Sequence, residues 1–558
     1  MLPLLEIRNL SVDFVTGDQT THAVQDVSFT VNRNEIVAIV GESGSGKSVS
    51  SLSIVQLLPS PPAQYPSGKI LFSPDGNTAS NLLAASTRIL QDVRGNRIAM
   101  IFQEPMSSLN PVMTCGSQVT EAILKHRQIP EREARQQAVD WFSKVQLPDP
   151  QEMFHRYPHQ LSGGQKQRVM IAMAMCCSPD LLICDEPTTA LDVTVQQGIL
   201  SLIRDLQQQQ QMGVIFITHD LGVVSEIADR VLIMYKGRIV EMNDTASIFK
   251  RPEHPYTRAL IACRPAMHPK GKPLPVVADF TGDPKGPERA IVAAHPPGHV
   301  LVDVQNLVVR FPGRSNILGR TTSWFTAVND VSFQVLQGET LGLVGESGCG
   351  KTTLGRTMLQ LIRATSGKII YNNRDITRLT QDQLRKLRSD VQLVFQDPFS
   401  SLNPRLTIGA AIGEPLQVHE DIPAAARRKR VAELLDRVSL APSMMNRYPH
   451  EFSGGQRQRI VIARALAMNP SLLVCDESVS ALDVSVQAQV LNLLNELKRE
   501  LGLTMLFISH DLSVVRYMSD RIMVMRAGEI VETGLAEEVY FHPKHAYTQR
   551  LLAAIPKV

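Results

Sequence analysis

One nine-residue pattern occurs twice in the chain and constrains the fold more than any other feature. Val40–Ser48 reads VGESGSGKS, and Val344–Thr352 reads VGESGCGKT. Each copy follows an apolar, strand-length run, Ile36–Val40 or Thr340–Val344, and precedes a helical pattern. Glycines at this spacing let the backbone fold around phosphate groups and aim its N–H groups at them. The sequence therefore predicts two phosphate-binding loops, each placed between a buried strand and a helix.

The repeat continues well beyond these loops. Arg156-Tyr-Pro-His recurs as Arg447-Tyr-Pro-His, and Ser162-Gly-Gly-Gln recurs as Ser453-Gly-Gly-Gln. The offset between the copies is 453 − 162 = 291 residues here, and it stays constant downstream. A repeat of this length indicates two homologous domains.

Length and composition give the domain boundaries. The chain has 558 residues, and a single hydrophobic core seldom grows beyond roughly 250–300 residues. Residues from about 265 to 297 are rich in Pro, Gly, Lys and Ala and show little periodicity, which is typical of a linker. We predict one domain at 1–264, a linker at 265–297 and a second domain at 298–558.

Buried strands alternate with helical patterns in both copies. Leu181–Cys184 and Val214–Thr218 are apolar runs separated by a helical pattern, as are Leu472–Cys475 and Met505–Ser509. This alternation predicts an α/β fold, with a mostly parallel sheet that is covered by helices on both faces.

Acidic pairs and histidines follow these strands. Asp185-Glu186 and Asp476-Glu477 end the first buried run of each copy, and His219 and His510 follow the next one. Downstream of a phosphate loop, the aspartate is suited to hold Mg²⁺ through water and the glutamate to polarise an attacking water as general base. We interpret the histidines as γ-phosphate contacts. Four loop residues complete the chemistry, with the lysines bridging the β- and γ-phosphates and the hydroxyls reaching Mg²⁺: Lys47, Lys351, Ser48 and Thr352.

Composition excludes several classes of protein. With 57 basic and 54 acidic residues the formal net charge is +3, and no basic stripe indicates binding to a polyanion. No stretch approaches the roughly 18–20 apolar residues that span a bilayer, and the N-terminus lacks a basic signal-peptide region. The seven cysteines form no C-x-x-C pair and predict neither a disulfide framework nor a structural metal. We therefore expect a cytosolic chain.

A further set of motifs identifies a family. Leu161-Ser-Gly-Gly-Gln165 and Phe452-Ser-Gly-Gly-Gln456 resemble the signature motif of ATP-binding cassette proteins. Gln103 and Gln396 resemble the Q-loop glutamine of that family. Ala190-Leu-Asp192 and Ala481-Leu-Asp483 resemble its D-loop. The resemblance covers nearly the whole chain apart from the linker, and it implies two P-loop cassettes, each with antiparallel β and helical signature subdomains.

The resemblance assigns a role to a fixed set of residues in each copy. Glu186, Glu477, His219 and His510 are the implied catalytic residues. The implied Mg²⁺ ligands are Ser48, Gln103, Asp185, Thr352, Gln396 and Asp476. The implied ATP-binding residues of the first copy are Phe14, Gly41, Ser43, Gly44, Gly46, Lys47, Ser48, Gln103, Ser162, Gly163, Gly164 and Asp185. Those of the second copy are Phe311, Gly345, Ser347, Gly348, Gly350, Lys351, Thr352, Thr353, Gln396, Ser453, Gly454, Gly455 and Asp476. Phe14 and Phe311 are candidates for stacking on adenine, with Phe325 as a rival in the second copy.

In this family two cassettes pair head to tail, so that each ATP lies between the loop of one and the signature of the other. Carried over, the resemblance implies an intramolecular cassette dimer. One composite site would combine Lys47 with Ser453 and Gly455, and the other would combine Lys351 with Ser162 and Gly164. A helix N-terminus that offers a serine hydroxyl and glycine N–H groups stabilises phosphate charge.

Segments outside the cassette core narrow the class to importers. Several segments resemble those of the oligopeptide, dipeptide and nickel importer ATPases: Gln103–Pro111, Gln396–Pro404, the Arg-Tyr-Pro-His element, His254–Arg258 and His545–Arg550. The fusion of two ATPases in one chain resembles the fused type that imports glutathione or peptides. This implies ATP hydrolysis that powers a bacterial importer, with two integral-membrane permease subunits and an extracytoplasmic substrate-binding protein as partners. The chain would lie peripherally on the cytoplasmic face of the inner membrane. The transported substrate stays open.

The alternative is a soluble tandem ATPase that acts on ribosomes or DNA. Ribosome-acting relatives join their cassettes by a long, charged, helical linker, whereas this linker is rich in Pro and Gly. DNA-repair relatives carry zinc-binding cysteine modules, which this sequence lacks. We expect no nucleic-acid partner.

Overall fold

The chain divides into two compact units, the first ending at Ile261 and the second spanning Ala262–Ile555. The structure is a computed structural model that describes residues 2–17, 19–103, 108–189, 191–281, 298–313, 323–420, 422–480 and 482–555. Among these residues no helix combines the length and the apolar character needed to cross a bilayer.

The described residues of the first unit contain ten strands in two sheets. They are β1 (Leu5–Thr16), β2 (Gln19–Val31), β3 (Ile36–Val40), β4 (Ala63–Phe72), β5 (Ser80–Asn81), β6 (Ile98–Ile101), β7 (Leu181–Asp185), β8 (Gly213–Thr218), β9 (Arg230–Tyr235) and β10 (Arg238–Asp244). One sheet has the order β10-β9-β3-β8-β7-β6 and is parallel except for the β9–β10 pair. The other is antiparallel with the order β2-β1-β4-β5.

Helices cover both faces of the parallel sheet, as the sequence predicts. Those that begin in the first unit are α1 (Lys47–Ile54), α2 (Thr87–Val93), α3 (Cys115–His126), α4 (Glu131–Lys144), α5 (Pro150–His155), α6 (Gly163–Met175), α7 (Val193–Gln210), α8 (Leu221–Ile227), α9 (Thr245–Lys250) and α10 (Pro255–Ala262).

The second unit repeats this plan. Its strands are β11 (Val300–Pro312), β12 (Trp324–Leu336), β13 (Thr340–Val344), β14 (Ser366–Tyr371), β15 (Arg374–Asp375), β16 (Val391–Val394), β17 (Leu472–Asp476), β18 (Thr504–Ser509), β19 (Arg521–Arg526) and β20 (Glu529–Leu535). The mostly parallel sheet has the order β16-β17-β18-β13-β19-β20, and the antiparallel sheet has the order β12-β11-β14-β15.

Most helices described in the second unit have a counterpart in the first. Val277–Thr281 and Pro398–Ser401 have none among the described residues, and a 3-10 helix at Pro442–Asn446 takes the place of Pro150–His155. The α-helices described in the second unit are α11 (Val277–Thr281), α12 (Lys351–Met358), α13 (Gln381–Asp390), α14 (Pro398–Ser401), α15 (Ile408–His419), α16 (Ala424–Arg437), α17 (Gly454–Leu466), α18 (Val484–Leu501), α19 (Leu512–Met518), α20 (Ala536–Phe541) and α21 (Ala546–Ala553).

Two apolar layers enclose the central sheet of each unit. In β3, Ile36 packs into the layer with the helices α3 to α7, whereas Val37 and Ile39 pack into the layer shared with the antiparallel sheet. All five residues of β3 are buried, because a parallel strand covered on both faces has no solvent-facing side. Each fully buried aliphatic side chain of this kind contributes about 1.5–3 kcal/mol. The predicted fold class, with its parallel sheet, antiparallel subdomain and helical subdomain, is confirmed.

Candidate nucleotide site

The strand order brings the predicted chemistry to one edge of each central sheet. β3 lies between β8 and β9, and β7 lies beside β8. Val40 pairs with Thr218, and Asp185 pairs with Ile217. The loop after β3, the acid pair at the end of β7 and the histidine after β8 therefore meet at the carboxyl ends of three adjacent strands, where ligands bind in such folds. The second unit arranges β13, β17 and β18 in the same way.

Each phosphate loop depends on a glycine with a left-handed backbone. Gly46 has φ of 100°, and a Cβ there would lie 2.6 Å from the carbonyl oxygen of Ala23. Gly350 has φ of 111°, and its Cβ would lie 2.2 Å from the carbonyl oxygen of Ala327. Because no larger residue fits this conformation and space, the helix can begin at the following lysine with its N-terminus facing the loop. Six other predicted residues belong to the same two loops: Gly41, Ser43, Gly44, Gly345, Ser347 and Gly348. Thr353 lies in the first turn of α12.

The two loop lysines are buried within their own loops. Lys47 Nζ donates to the carbonyl oxygens of Gly41 at 2.6 Å and Glu42 at 2.8 Å. Lys351 Nζ donates to those of Gly345 and Glu346 at 2.8 and 2.9 Å. Backbone carbonyls thus fix both ammonium groups in the centre of the loop, where phosphate oxygens are the expected charged partners.

A hydroxyl group donates a hydrogen bond to the first acid of each pair. Ser48 Oγ donates to Asp185 Oδ1 at 3.1 Å, and Thr352 Oγ1 donates to Asp476 Oδ1 at 3.0 Å. Burial raises the pKa of Asp185 to about 6, against the opposing effect of the Ser48 hydrogen bond, and it also raises the pKa of Asp476. A buried carboxyl of this kind is stabilised in its charged form by a cation.

The second acid lies at the centre of a polar cluster in the first unit. Glu186 Oε2 accepts hydrogen bonds from Gln103 Nε2 and from Thr189 Oγ1, each at 3.0 Å. His219 Nδ1 lies 3.3 Å from Glu186 Oε1. Burial alone would raise the pKa of Glu186, but the neighbouring His219 and Lys47 outweigh it and lower that pKa to about 2. Glu186 is therefore a carboxylate at neutral pH, as a general base requires.

The second unit reproduces this cluster with small differences. Glu477 Oε2 accepts from Gln396 Nε2 at 2.8 Å and lies 3.6 Å from His510 Nδ1. Lys351 Nζ lies 3.8 Å from Glu477 Oε1. Against burial, these two basic neighbours also lower the pKa of Glu477. The predicted glutamine and histidine of each copy thus both contact the predicted glutamate.

Both glutamates have an unusual backbone that the sequence did not reveal. Their φ angles are 49° for Glu186 and 47° for Glu477, a left-handed region that costs a non-glycine residue of the order of 1–3 kcal/mol. The backbone N–H groups donate to Ile217 O at 3.0 Å and to Ile508 O at 2.9 Å, which hold the chain in this turn. Strain at the same position of both units supports a functional role for the residue.

Each signature motif lies at the N-terminus of a helix whose body is largely buried. Ser162 and Ser453 are the N-caps of α6 and α17, and each accepts a hydrogen bond from the backbone of the glutamine three residues later, Gln165 or Gln456. Such a capping box stabilises a helix by about 1 kcal/mol. Both serines are exposed, and so is Gly163, whereas Gly164 and Gly454 are half-buried and Gly455 is buried. The first residue of each motif is therefore open to a ligand.

The contacts of the remaining predicted residues do not assign them a role in nucleotide binding. Phe14 and Phe311 are half-buried in β1 and β11, and Phe311 pairs across the strands with Phe325, which is 60% exposed. Their contact with adenine stays a prediction. Ala190 and Ala481 of the D-loops, and the Q-loop residues 104–107, lie outside the described residues.

A tyrosine near the end of each copy contacts the phosphate loop, and sequence reasoning missed this contact. The Tyr256 hydroxyl accepts a hydrogen bond from the backbone N–H of Glu42 at 3.1 Å, and Tyr547 does the same for Glu346 at 3.1 Å. Both rings are buried, and the ring of Tyr256 packs at a tilt of 31° against Tyr235, with centroids 4.2 Å apart. The repeated Tyr-Thr pair was visible in the sequence, but its partner lies about 200 residues away.

We expect Tyr256→Phe and Tyr547→Phe to weaken ATP binding without unfolding the chain. Each change leaves one loop N–H without its acceptor, which costs about 1 kcal/mol, and we expect the KM for ATP to rise about threefold to tenfold. Steady-state ATPase assays and thermal unfolding measure the two effects. Tyr235→Phe is the matched control, because it removes a hydroxyl from the same ring cluster and leaves the loop contact in place. An unchanged KM in both variants would contradict this role.

Comparison with protein families identifies the site. A family model described as "ABC transporter" matches residues 24–189 and 328–480, which contain both phosphate loops, both acid pairs and both signatures. The chain belongs to the ABC transporter family. A second model, "Oligopeptide/dipeptide transporter, C-terminal region", matches residues 240–286 and 531–558. Tyr256 and Tyr547 lie in these two C-terminal regions.

Curated relatives match this ABC protein over its whole length. The "Glutathione import ATP-binding protein GsiA" of Pectobacterium atrosepticum is 50% identical over 567 residues, covering 100% of this chain and 90% of the relative. The protein of that name from Escherichia coli strain K12 is 49% identical over 562 residues, with 99% and 89% covered. A solved structure, described as the dimeric post-hydrolysis state of the ATP-binding cassette MJ0796 bound to ADP and Pi, is 30% identical; it covers 42% of this chain and 98% of that one, with a TM-score of 0.39.

These findings confirm the main functional predictions. The chain is a fused, tandem ATP-binding protein and an ATPase of the ABC importer class, with the C-terminal regions of the oligopeptide and dipeptide transporter family. They do not support the alternative of a soluble ATPase that acts on ribosomes or DNA.

Proposed function

We propose that this ABC protein hydrolyses ATP at two sites to drive the import of glutathione or a related short peptide. The observation that carries the proposal is the duplication of the whole reactive cluster: each unit joins its own lysine, hydroxyl, acid pair, glutamine and histidine at one sheet edge. The substrate class rests on the printed names of relatives that share half of their residues with the full chain and on the matching C-terminal regions.

The chain's own groups divide the reaction between them. The loop N–H groups and Lys47 or Lys351 bind and orient the phosphates. Glu186 and Glu477, held as carboxylates, accept a proton from the attacking water. The histidines contact the γ-phosphate, and Gln103 and Gln396 fix the glutamates through the hydrogen bonds described above.

Mg²⁺ fits the donors that the site offers. Hydroxyl and carboxylate oxygens are the ligands that Mg²⁺ prefers, and the Ser48–Asp185 and Thr352–Asp476 pairs place such oxygens about 3 Å apart beside each loop. These four residues would hold the ion, with the amide oxygens of Gln103 and Gln396 as further ligands. When bound, the ion would supply positive charge that neutralises the phosphates.

Each site is completed, in this proposal, by the signature of the other cassette. Lys47 would act with Ser453 and Gly455, and Lys351 with Ser162 and Gly164. The exposed, capped N-termini of α6 and α17 support this role, since each offers unpaired N–H groups and a favourable dipole to a phosphate.

The proposed partners are two permease subunits in the membrane and an extracytoplasmic substrate-binding protein, with the chain at the cytoplasmic face of the inner membrane. The relatives' names describe the ATP-binding component of an import system, and such a component requires a separate path through the membrane for its substrate.

Uptake measurements test the function directly. Cells that carry the Glu186→Gln, Glu477→Gln double variant in place of the wild-type gene are expected to lose uptake of labelled glutathione or a labelled dipeptide, while growth and protein amount stay the same. Wild-type cells and a Glu500→Gln variant, changed at an exposed helical position, are the controls. If the double variant lacks ATPase activity yet takes up both compounds at the wild-type rate, the proposal is wrong.

A further inference from the structure

A segment that follows the first cassette is packed on the second unit. We call residues 262–281 the strap; they are grouped with the second unit and overlap the linker predicted from composition. Leu274 is fully buried in the hydrophobic core of that unit, and Cys263 and Val276 belong to the same core. A flexible linker has no reason to bury aliphatic side chains, so the strap is a docked segment.

Asn492 of α18 binds both backbone polar groups of one strap residue, Leu274. Its Oδ1 accepts from Leu274 N–H and its Nδ2 donates to Leu274 O, both at 2.8 Å. The side-chain amide thus imitates a paired strand and satisfies both backbone groups of a buried residue. Tyr517 joins this contact, since its hydroxyl donates to Lys272 O at 3.0 Å and lies 3.3 Å from Asn492 Oδ1.

Arg516 of α19 forms a second anchor. Its guanidinium donates to His268 O at 2.8 Å and lies over the rings of Tyr540 and Phe541, 4.7 and 5.1 Å from their centroids. Arg516 is only 6% exposed, so the contact is shielded from water, where charge-assisted hydrogen bonds are strongest.

An ion cluster forms the third anchor. Lys270 of the strap pairs with Asp520, which also pairs with Lys498 at 2.8 Å and accepts from Thr340 N–H at 2.8 Å. Burial opposes ionisation of Asp520, but the charges of Lys270 and Lys498 lower its pKa overall. The cluster therefore links the strap to the start of β13, the strand that leads into the second phosphate loop.

The side chains that bind the strap are mostly specific to the second copy of the repeat. At the constant offset of 291, the first copy has Ser201 for Asn492, Gln207 for Lys498, Ser225 for Arg516 and Glu226 for Tyr517. Only Asp520 has the same residue as its counterpart, Asp229, which likewise accepts from the first residue of its loop strand, Ile36 N–H, at 2.8 Å. Three of the four side chains that contact the strap directly are thus particular to the second cassette, and so is Lys498, which pairs with Asp520.

We propose that the strap is a binding segment that attaches the N-terminal half of the chain non-covalently to the second cassette, through a surface that the first cassette lacks. Its partner is this chain itself. The N-terminal half is then joined to the second cassette in two ways: by the covalent chain through residues 282–297 and by the non-covalent contacts of the strap.

A cut in that covalent path tests the proposal. A recognition sequence for a specific protease is inserted between Gly286 and Pro287, and the full-length protein with an N-terminal affinity tag is cleaved in chelator without nucleotide. We expect the C-terminal fragment to stay bound to the tagged fragment. In the Asn492→Ala, Lys270→Ala double variant, we expect the fragments to separate at a protein concentration at least tenfold higher than in the wild type. Glu496→Ala, at an exposed position of the same helix, is the matched control and should behave as wild type.

A second variant guards against misfolding. Asn492→Ser introduces the residue that the first cassette carries at this position, and its thermal unfolding before cleavage shows whether the fold is kept. Separation of the wild-type fragments at the same dilution as the double variant overturns the proposal. So does equal retention in wild type, Asn492→Ser and the double variant, because other contacts would then hold the fragments.

Discussion

Glu186→Gln and Glu477→Gln are each expected to reduce ATP turnover at the altered site at least about a hundredfold, which is the lower range for loss of a general base. Glutamine keeps the size of the side chain and an acceptor oxygen for Gln103 or Gln396, but it cannot take a proton from water. Because binding groups are untouched, each variant should retain ATP instead of ADP. Phosphate release and the identity of the nucleotide retained after gel filtration measure both effects.

Equivalence of the two sites predicts equal losses in the two variants. Glu186 and Glu477 each contact a glutamine and a histidine, and both carboxylates have a lowered pKa. Glu500→Gln is the control for a neutralised surface charge. If one of the two variants hydrolyses ATP at nearly the wild-type rate, the claim of two competent sites fails.

Gly163→Asp and Gly454→Asp are expected to reduce turnover at the affected site about a hundredfold to a thousandfold while the fold is kept. A Cβ at Gly454 meets nothing within 4 Å, and one at Gly163 meets only Leu191 at 3.6 Å. An aspartate in the first turn of a helix is favoured by the helix dipole, typically by 0.3–1 kcal/mol, so thermal stability should hold or rise. Its carboxylate would repel the phosphate that the helix N-terminus is proposed to bind, and loss of such a site costs about 10²–10³ in rate.

Combined variants test which loop each signature serves. If the sites are composite, Gly454→Asp with Lys47→Ala damages one site and leaves one nucleotide bound per chain. Gly454→Asp with Lys351→Ala damages both sites and leaves none. The reverse pattern of nucleotide stoichiometry would show that each signature serves its own cassette.

The reactive residues were predictable because their chemistry fixes residue type and spacing. A loop that surrounds phosphate needs glycines such as Gly46, and a general base needs a carboxylate such as Glu186 at a strand end. The parallel sheet then brought these residues together, because the carboxyl ends of adjacent parallel strands share one edge. Repetition in the second copy made each interpretation more secure.

Other features depend on contacts that no local pattern encodes. The positive φ of Glu186 and Glu477 arises from backbone hydrogen bonds to a neighbouring strand, not from residue type. The strap has the composition of a linker, and its docking depends on Asn492, which follows Leu274 by 218 residues. Such contacts become visible only in three dimensions.

The strap also bears on how a duplicated gene can change. Recombination between two homologous copies can replace one with the other, and a protein rebuilt from two first cassettes would keep every ATP-handling residue. It would carry Ser201, Gln207, Ser225 and Glu226 at both positions and would lack the strap contacts of Asn492, Arg516 and Tyr517. The two cassettes are therefore not interchangeable. Selection for catalysis alone would tolerate replacement of the second copy by the first, whereas selection for the strap contact would act against it.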